Sequence, residues 1–159
     1  MMNKLHHYTM RLVWTGNRGE GTTTYRSYDR SYTISINNKA DFYGTADPVF
    51  RGDPTKHNPE ELLVMSLSSC HLLSYLHLCA VNGIVLTDYE DDAKGSMEED
   101  NVKGGYINDV TLNITMRITD ISKKKLAEEL HHQANKLCFI ANSVNFQVKH
   151  NITILASIL

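Results

Sequence analysis

The chain has no excess of either charge. Its 16 Lys and Arg stand against 18 Asp and Glu, a net charge of −2 at pH 7. It has no long basic run, so nucleic acid is a poor partner. Cysteine is scarce and odd in number, three in 159 residues. The opening MMNKLHHYTMRLVW is too polar for a secretory leader. Together these favour the reducing cytoplasm, where thiols are free, catalytic or metal-bound more often than bridged. Neither CxxC nor HExxH occurs, and no His or Cys pair has a familiar zinc spacing, so no metal is expected. The longest mainly apolar stretch carries His71, His77, Ser and Tyr residues, which argues against a membrane span. No repeat, low-complexity segment or linker appears, and the chain reads as one domain, 1–159.

What is present is organised around residues 58–82, NPEELLVMSLSSCHLLSYLHLCAVN. Asn58 can cap a helix, Pro59 suits its first position, and Glu60 and Glu61 face the positive end of its dipole. Asn82-Gly83 is a left-handed stop signal. Between them, apolar residues surround much of the cylinder, so the helix needs cover on more than one side. A single sheet covers one side only. An obligate homodimer, with helices of two subunits between two sheets, would cover both.

The first third reads as β, with strand signals at 8–14, 22–28, 31–36 and 42–45 and Asp29-Arg30 as a hairpin turn. A loop at 46–57, holding Pro48, Gly52 and Pro54, delivers Arg51 to the helix start. Residues 84–97 read as a strand and 98–105 as a turn. The clearest strand is VTLNITMRI at 110–118, where Val110, Leu112, Ile114, Met116 and Ile118 share one face at period two. Ser122 then caps a second helix, 123–137, and 146–155 closes the chain as a strand. This order argues for an α+β fold with antiparallel sheet.

Cys70 and Cys79 lie nine residues apart on one helix, on opposite sides and separated by roughly 13 Å of rise, so they cannot bridge. Nothing forbids Cys70 from meeting Cys138, which ends the second helix. For Cys79 the preferred reading is a small buried hydrophobe. For Cys70 and Cys138 that reading and a working thiol both stand. A working thiolate needs a cation, and Arg51 is a candidate, the alternative being a surface loop charge. Glu60 precedes Cys70 by ten residues, about 15 Å of rise, so it could hold a long arginine or serve only the helix dipole.

NPEELLVMSLSSC, the hydrophobic remainder of the helix, and a second cysteine some seventy residues on together resemble the OsmC/Ohr family of peroxide-reducing proteins. The resemblance runs over essentially the whole chain. It implies an OsmC-like fold, with antiparallel sheets packed on two central helices in an intertwined homodimer and active sites at the subunit interface. It implies Cys70 as peroxidatic cysteine, Cys138 as resolving cysteine, and Glu60 as the holder of a catalytic arginine. For that arginine Arg51 matches the OsmC-type position, and Arg18 would match the Ohr-type one. One departure is Cys138-Phe139, where many family members carry Cys-Pro. It bears on turnover and points to an OsmC-like branch.

The implied activity is reduction of organic hydroperoxides through a Cys70 sulfenic acid, resolved by Cys138 and recycled by an external dithiol, for which the resemblance suggests a lipoyl type. No cofactor is implied. The rival reading is a dimeric, redox-sensitive protein that binds a small lipophilic ligand without turnover.

Overall fold

The computed structural model describes residues 4–100, 102 and 104–158. The chain falls into two compact units, Met1–Leu62 and Leu63–Leu159.

The first unit holds a three-stranded antiparallel sheet in the order β1 (Arg11–Trp14), β2 (Tyr32–Ser35), β3 (Phe42–Gly44). Leu12 faces Ile34 across the first pair, and Ile34 faces Phe42 across the second. The strand expected at 22–28 is absent. Side chains there bond the backbone locally and replace a ladder: Ser27 Oγ donates to the carbonyls of Gly21 and Thr24 at 2.9 Å each, and Arg18 donates to those of Arg26 and Ser27. A 3₁₀ turn, Pro48–Phe50, is capped by Asp47, whose side chain accepts from Val49 N–H at 2.8 Å.

The unit boundary falls in the first turn of α1 (Pro59–Val81). Asn58 caps it as expected: its Oδ1 accepts from Glu61 N–H at 2.8 Å, and Glu61 Oε2 accepts from Asn58 N–H at 3.3 Å, a reciprocal capping box. At the other end Gly83 adopts φ 67°, Ile84 N–H reaches Cys79 O at 2.9 Å, and Lys123 Nζ reaches Gly83 O at 2.8 Å.

The second unit is built on β6 (Gly104–Ile118). β5 (Lys94–Asp100) and β4 (Leu86–Asp91) pair antiparallel with its first and last parts along one edge. β7 (Val148–Ala156) pairs with it along the opposite edge. This last pair is parallel, so the sheet is mixed, which corrects the expectation of antiparallel sheet. The reason is topological: α2 (Lys124–Leu137) lies between β6 and β7 in the chain, and a crossover returns the strand in the same direction. The single strand expected at 84–97 divides at Asp92–Ala93 into β4 and β5. Of the turn expected at 98–105, Asn101 and Lys103 lie outside the described residues; Val102 is a turn residue, residues 98–100 end β5, and 104–105 begin β6. Ser122 does not cap α2. Asp120 caps a short 3₁₀ turn instead, accepting from Ser122 N–H at 3.1 Å, and α2 follows from Lys124 with no side-chain cap.

The alternating face of β6 is the core of this unit: Val110, Leu112, Ile114, Met116 and Ile118 are all buried. Tyr75 and Leu78 of α1 and Ala127, Leu130 and Ala134 of α2 pack with Met116 and Ile118. The rest of α1 is different. Met65, Leu73, Leu76 and Val81 are 41%, 66%, 41% and 64% exposed. By length and composition α1 could cross a membrane, and 28% of its apolar window is buried; one such helix is weak evidence of a membrane location.

Candidate functional site

The second unit brings Cys70 and Cys138 together. Cys70 lies half-buried in α1; Cys138 is the buried C-cap of α2, and both are free thiols. At Cys138 the backbone leaves the helix (φ −70°, ψ 109°), while its N–H still reaches Ala134 O at 2.9 Å. This turn points the sulfur inward, where it accepts from Ala141 N–H at 3.3 Å and neighbours the Cys70 thiol. Burial, and then the neighbouring Cys70 thiol, push the Cys138 thiol up to about 11. Cys138 therefore keeps its proton at neutral pH and can donate it toward the Cys70 sulfur. On α1, Ser66 and Ser69 turn back onto their own helix, donating to Leu63 O and Met65 O at 2.7 Å each. Cys79 faces the core beside Tyr75, and burial raises its pKa.

The second unit also holds a cluster of histidines from three elements. His71 (α1) and His131 (α2) are buried and joined Nε2 to Nδ1 at 2.9 Å. His150 (β7) lies with its ring 4.5 Å from that of His71, and Tyr75 stacks on His131 at 3.8 Å. Burial, then the neighbouring imidazoles, depress His71 and His131 to about 3, so both are neutral at physiological pH. Among the described residues no group of three or more His, Cys, Asp or Glu is arranged to hold a metal ion. The sequence gives no signal for the cluster, because its members lie sixty and nineteen residues apart.

Glu60, Arg51 and Arg18 belong to the first unit. Arg18 is spent on its own loop, in contact with Ser27 O, Arg26 O and Asp29. Arg51 is exposed in a left-handed conformation, φ 66°, just before Gly52, where a Cβ would strike Ala46 O at 1.6 Å. Arg51 lines a polar cavity of about 360 Å³ with Arg30, Thr45, Asp53 and Lys56. Glu60 lines the adjoining cavity, and the arginine there is Arg30, which the sequence reading treated only as a turn residue. Arg30 lies 4.1 Å from the ring centre of Tyr25 and 4.3 Å from that of Tyr28, and it donates to the carbonyls of both at 2.7 Å. Burial and then the Glu60 charge raise the Tyr32 phenol, so it stays protonated beside the carboxylate.

Comparison with solved structures finds the same fold widely. The chain is 27% identical to an OsmC-like protein of unknown function from Vibrio cholerae, with 93% of this chain and 99% of that one covered and a TM-score of 0.82. It is 19% identical to an organic hydroperoxide resistance protein, OsmC, from Legionella pneumophila, covering 95% and 99% with a TM-score of 0.70. An organic hydroperoxide resistance protein from Elizabethkingia anophelis is 19% identical, with 97% and 100% covered and a TM-score of 0.70. No curated protein matches the chain. The family model described as OsmC-like protein matches residues 52–153, which include both paired cysteines, and the chain belongs to that family.

Proposed function

We propose that the chain, acting as one domain over 1–159, is a thiol-dependent peroxidase that reduces organic hydroperoxides to alcohols in the cytoplasm. The observation that carries this reading is the juxtaposition of two free thiols, Cys70 half-buried and Cys138 buried, as a near-disulfide pair. The names of the Legionella and Elizabethkingia relatives support the substrate class.

In the proposed cycle the Cys70 thiolate attacks the terminal oxygen of the hydroperoxide. The O–O bond breaks, its electron pair leaves with the alkoxide, and a proton completes the alcohol. Cys70 is left as a sulfenic acid. The Cys138 sulfur attacks it, the S–S bond forms, and the hydroxyl leaves as water with the Cys138 proton. An external dithiol, of lipoyl type in the family pattern, supplies two electrons and two protons and leaves as a disulfide. The high pKa of Cys138 favours this order, since the thiol that holds its proton is the poorer first nucleophile. Arg51 is the proposed cation for the Cys70 thiolate, with Glu60 as the carboxylate that holds an arginine; Arg30, which shares Glu60's cavity, is the second guanidinium to test.

A homodimer completes the proposal. Its support is the apolar face of α1, where Leu73 and Val81 are 66% and 64% exposed.

The test is steady-state consumption of cumene hydroperoxide with dihydrolipoamide as reductant, counted per subunit. Many turnovers are expected, with none remaining in Cys70→Ser. One equivalent and no more, even with a strong chemical dithiol, would favour a redox-sensitive binding protein.

A further inference from the structure

We infer that the imidazole pair His71–His131 positions the two thiols, holding α1 and α2 in the axial register at which Cys70 and Cys138 can bridge. Cys70 and His71 are consecutive on α1. On α2, His131 and Cys138 are seven residues apart, close to two turns, so they share one stripe of the helix, separated by roughly 10 Å of rise. Three contacts cross between the same two helices. Cys70 neighbours Cys138, His71 Nε2 meets His131 Nδ1 at 2.9 Å, and Tyr75 donates to Ala127 O at 3.0 Å. The order 70, 71, 75 along α1 meets the order 138, 131, 127 along α2. The helices therefore run antiparallel, and a shift at one contact is felt at the others.

The imidazole pair is the contact best placed to fix that register. Both rings are buried, Tyr75 stacks on His131 at 3.8 Å, and His150 of β7 lies 4.5 Å from the His71 ring. The pair leaves His71 Nδ1 and His131 Nε2 without hydrogen-bond partners among the described residues. Two apolar side chains would fill this space without that cost. What they would not supply is direction: a hydrogen bond fixes one distance and one angle, where apolar packing tolerates sliding. Register matters because a disulfide closes only with Cα atoms about 4.4–6.8 Å apart. Slipping a helix by one residue moves it about 1.5 Å along its axis, more than half of that window.

The role of this pair in peroxide turnover rests on the peroxidase reading, but the register is read without peroxide. The experiment equilibrates the full-length protein with glutathione redox buffers at pH 7. Alkylation and peptide mapping then give the fraction that holds the Cys70–Cys138 bridge, and hence the effective concentration of one thiol at the other. His71→Met removes the ring nitrogen and keeps an apolar side chain. It should lower the effective concentration at least tenfold, about 1.4 kcal/mol. His71→Gln returns an amide nitrogen near the position of Nε2 and should stay within roughly threefold of the wild type. Leu130→Ala loosens the buried face of α2 without touching the pair, and it too should stay within roughly threefold. If His71→Met loses native near-ultraviolet dichroism, His131→Phe, which keeps a ring against Tyr75, takes its place with the same tenfold fall. An equal fall in His71→Gln or in Leu130→Ala overturns the assignment, as does an unchanged value once the pair is removed. The expected pattern in a protein that consumes only one equivalent of peroxide would sink the peroxidase and leave the positioning pair standing. Sustained turnover with an unchanged effective concentration in His71→Met would do the reverse.

Discussion

The two long helices divide their side chains in opposite ways. α2 places Ala127, Leu130 and Ala134 inside and its charged residues outside, as an amphipathic helix on one core should. On α1 the buried face carries His71 and Tyr75, while Leu73, Leu76 and Val81 point outward. The buried polar groups on α1 tie it to α2: Tyr75 donates to Ala127 O at 3.0 Å and His71 Nε2 meets His131 Nδ1 at 2.9 Å, while His71 Nδ1 has no hydrogen-bond partner among the described residues. On α1, Leu73 and Leu76 are 66% and 41% exposed among the described residues. So α2 is explained by its own subunit, whereas α1 is organised inward by hydrogen bonds and outward by apolar surface that asks for a partner. The cysteines follow the same division, with Cys138 sealed at the end of α2 and Cys70 half-open on α1.

The largest expected effect separates those two cysteines. Cys138→Ser should leave one fast equivalent of peroxide reduction intact and slow sustained turnover by roughly a thousandfold, since about 4 kcal/mol of barrier corresponds to that factor. Single-turnover and steady-state assays on the same protein measure both. Equal loss of both phases would mean that Cys138 is needed for the first chemical step as well. A smaller effect tests the outward face of α1. Leu73→Glu with Leu76→Glu should weaken self-association by roughly a hundredfold, about 2.7 kcal/mol, with far-ultraviolet dichroism unchanged because neither residue is buried in the subunit. Analytical ultracentrifugation against concentration gives the answer. An unchanged association constant would remove α1 from the interface.

Much of this division was legible in the sequence. Helix 58–82 was expected and α1 spans Pro59–Val81, because capping and stop signals are local chemistry. The alternation at 110–118 was expected, and each of its five apolar residues is buried. What was not legible depended on side chains meeting across the chain. Residues 22–28 have strand composition, but Ser27 and Arg18 bond the loop backbone and prevent pairing. The β4–β5 break follows from Asn113, whose N–H bonds Asp91 Oδ1 and whose side chain bonds Asp92 O, both at 2.8 Å. Nothing local announces the parallel β6–β7 pair, which is a consequence of where α2 packs. The same holds for the site. Cys70 and Cys138 were each marked by position, and the structure joins them. Arg30 stood in a turn signal, and its place beside Glu60 in one cavity comes only from the folded loop.

The histidine cluster sharpens the contrast further, because it is the polar tie between the inward face of α1 and α2. His71 and His131 are held near pKa 3 when folded and return to about 6.5 when unfolded. Between those values the unfolded chain binds more protons, so their contribution is complete above pH 6.5 and is lost as pH falls. By pH 5 each histidine should cost roughly 2 kcal/mol, and together they should lower Tm by roughly 10 °C relative to pH 7. His131→Phe keeps an aromatic ring against Tyr75 and should remove about half of that dependence. Melting curves from pH 5 to pH 7.5 for both proteins test it. A parallel pair of profiles would mean that the cluster is protonated together with its surroundings and does not tie the helices as neutral rings.

The smallest effect belongs to the third cysteine. Cys79 shares α1 with Cys70 but belongs to the inward face, 2% exposed and in contact with Tyr75. Cys79→Ala should cost about 1 kcal/mol, a fall in Tm of about 2–4 °C, as removal of a small buried group does. It should leave peroxide turnover unchanged. Thiol titration in denaturant after one equivalent of peroxide sharpens the point: the wild type should retain one thiol and Cys79→Ala none. A Cys79→Ala protein that stalled after a single equivalent would move the resolving role from the cap of α2 to the core of α1. Because nine residues of intact helix hold Cys79 and Cys70 apart, that result would also require α1 to unwind during the cycle.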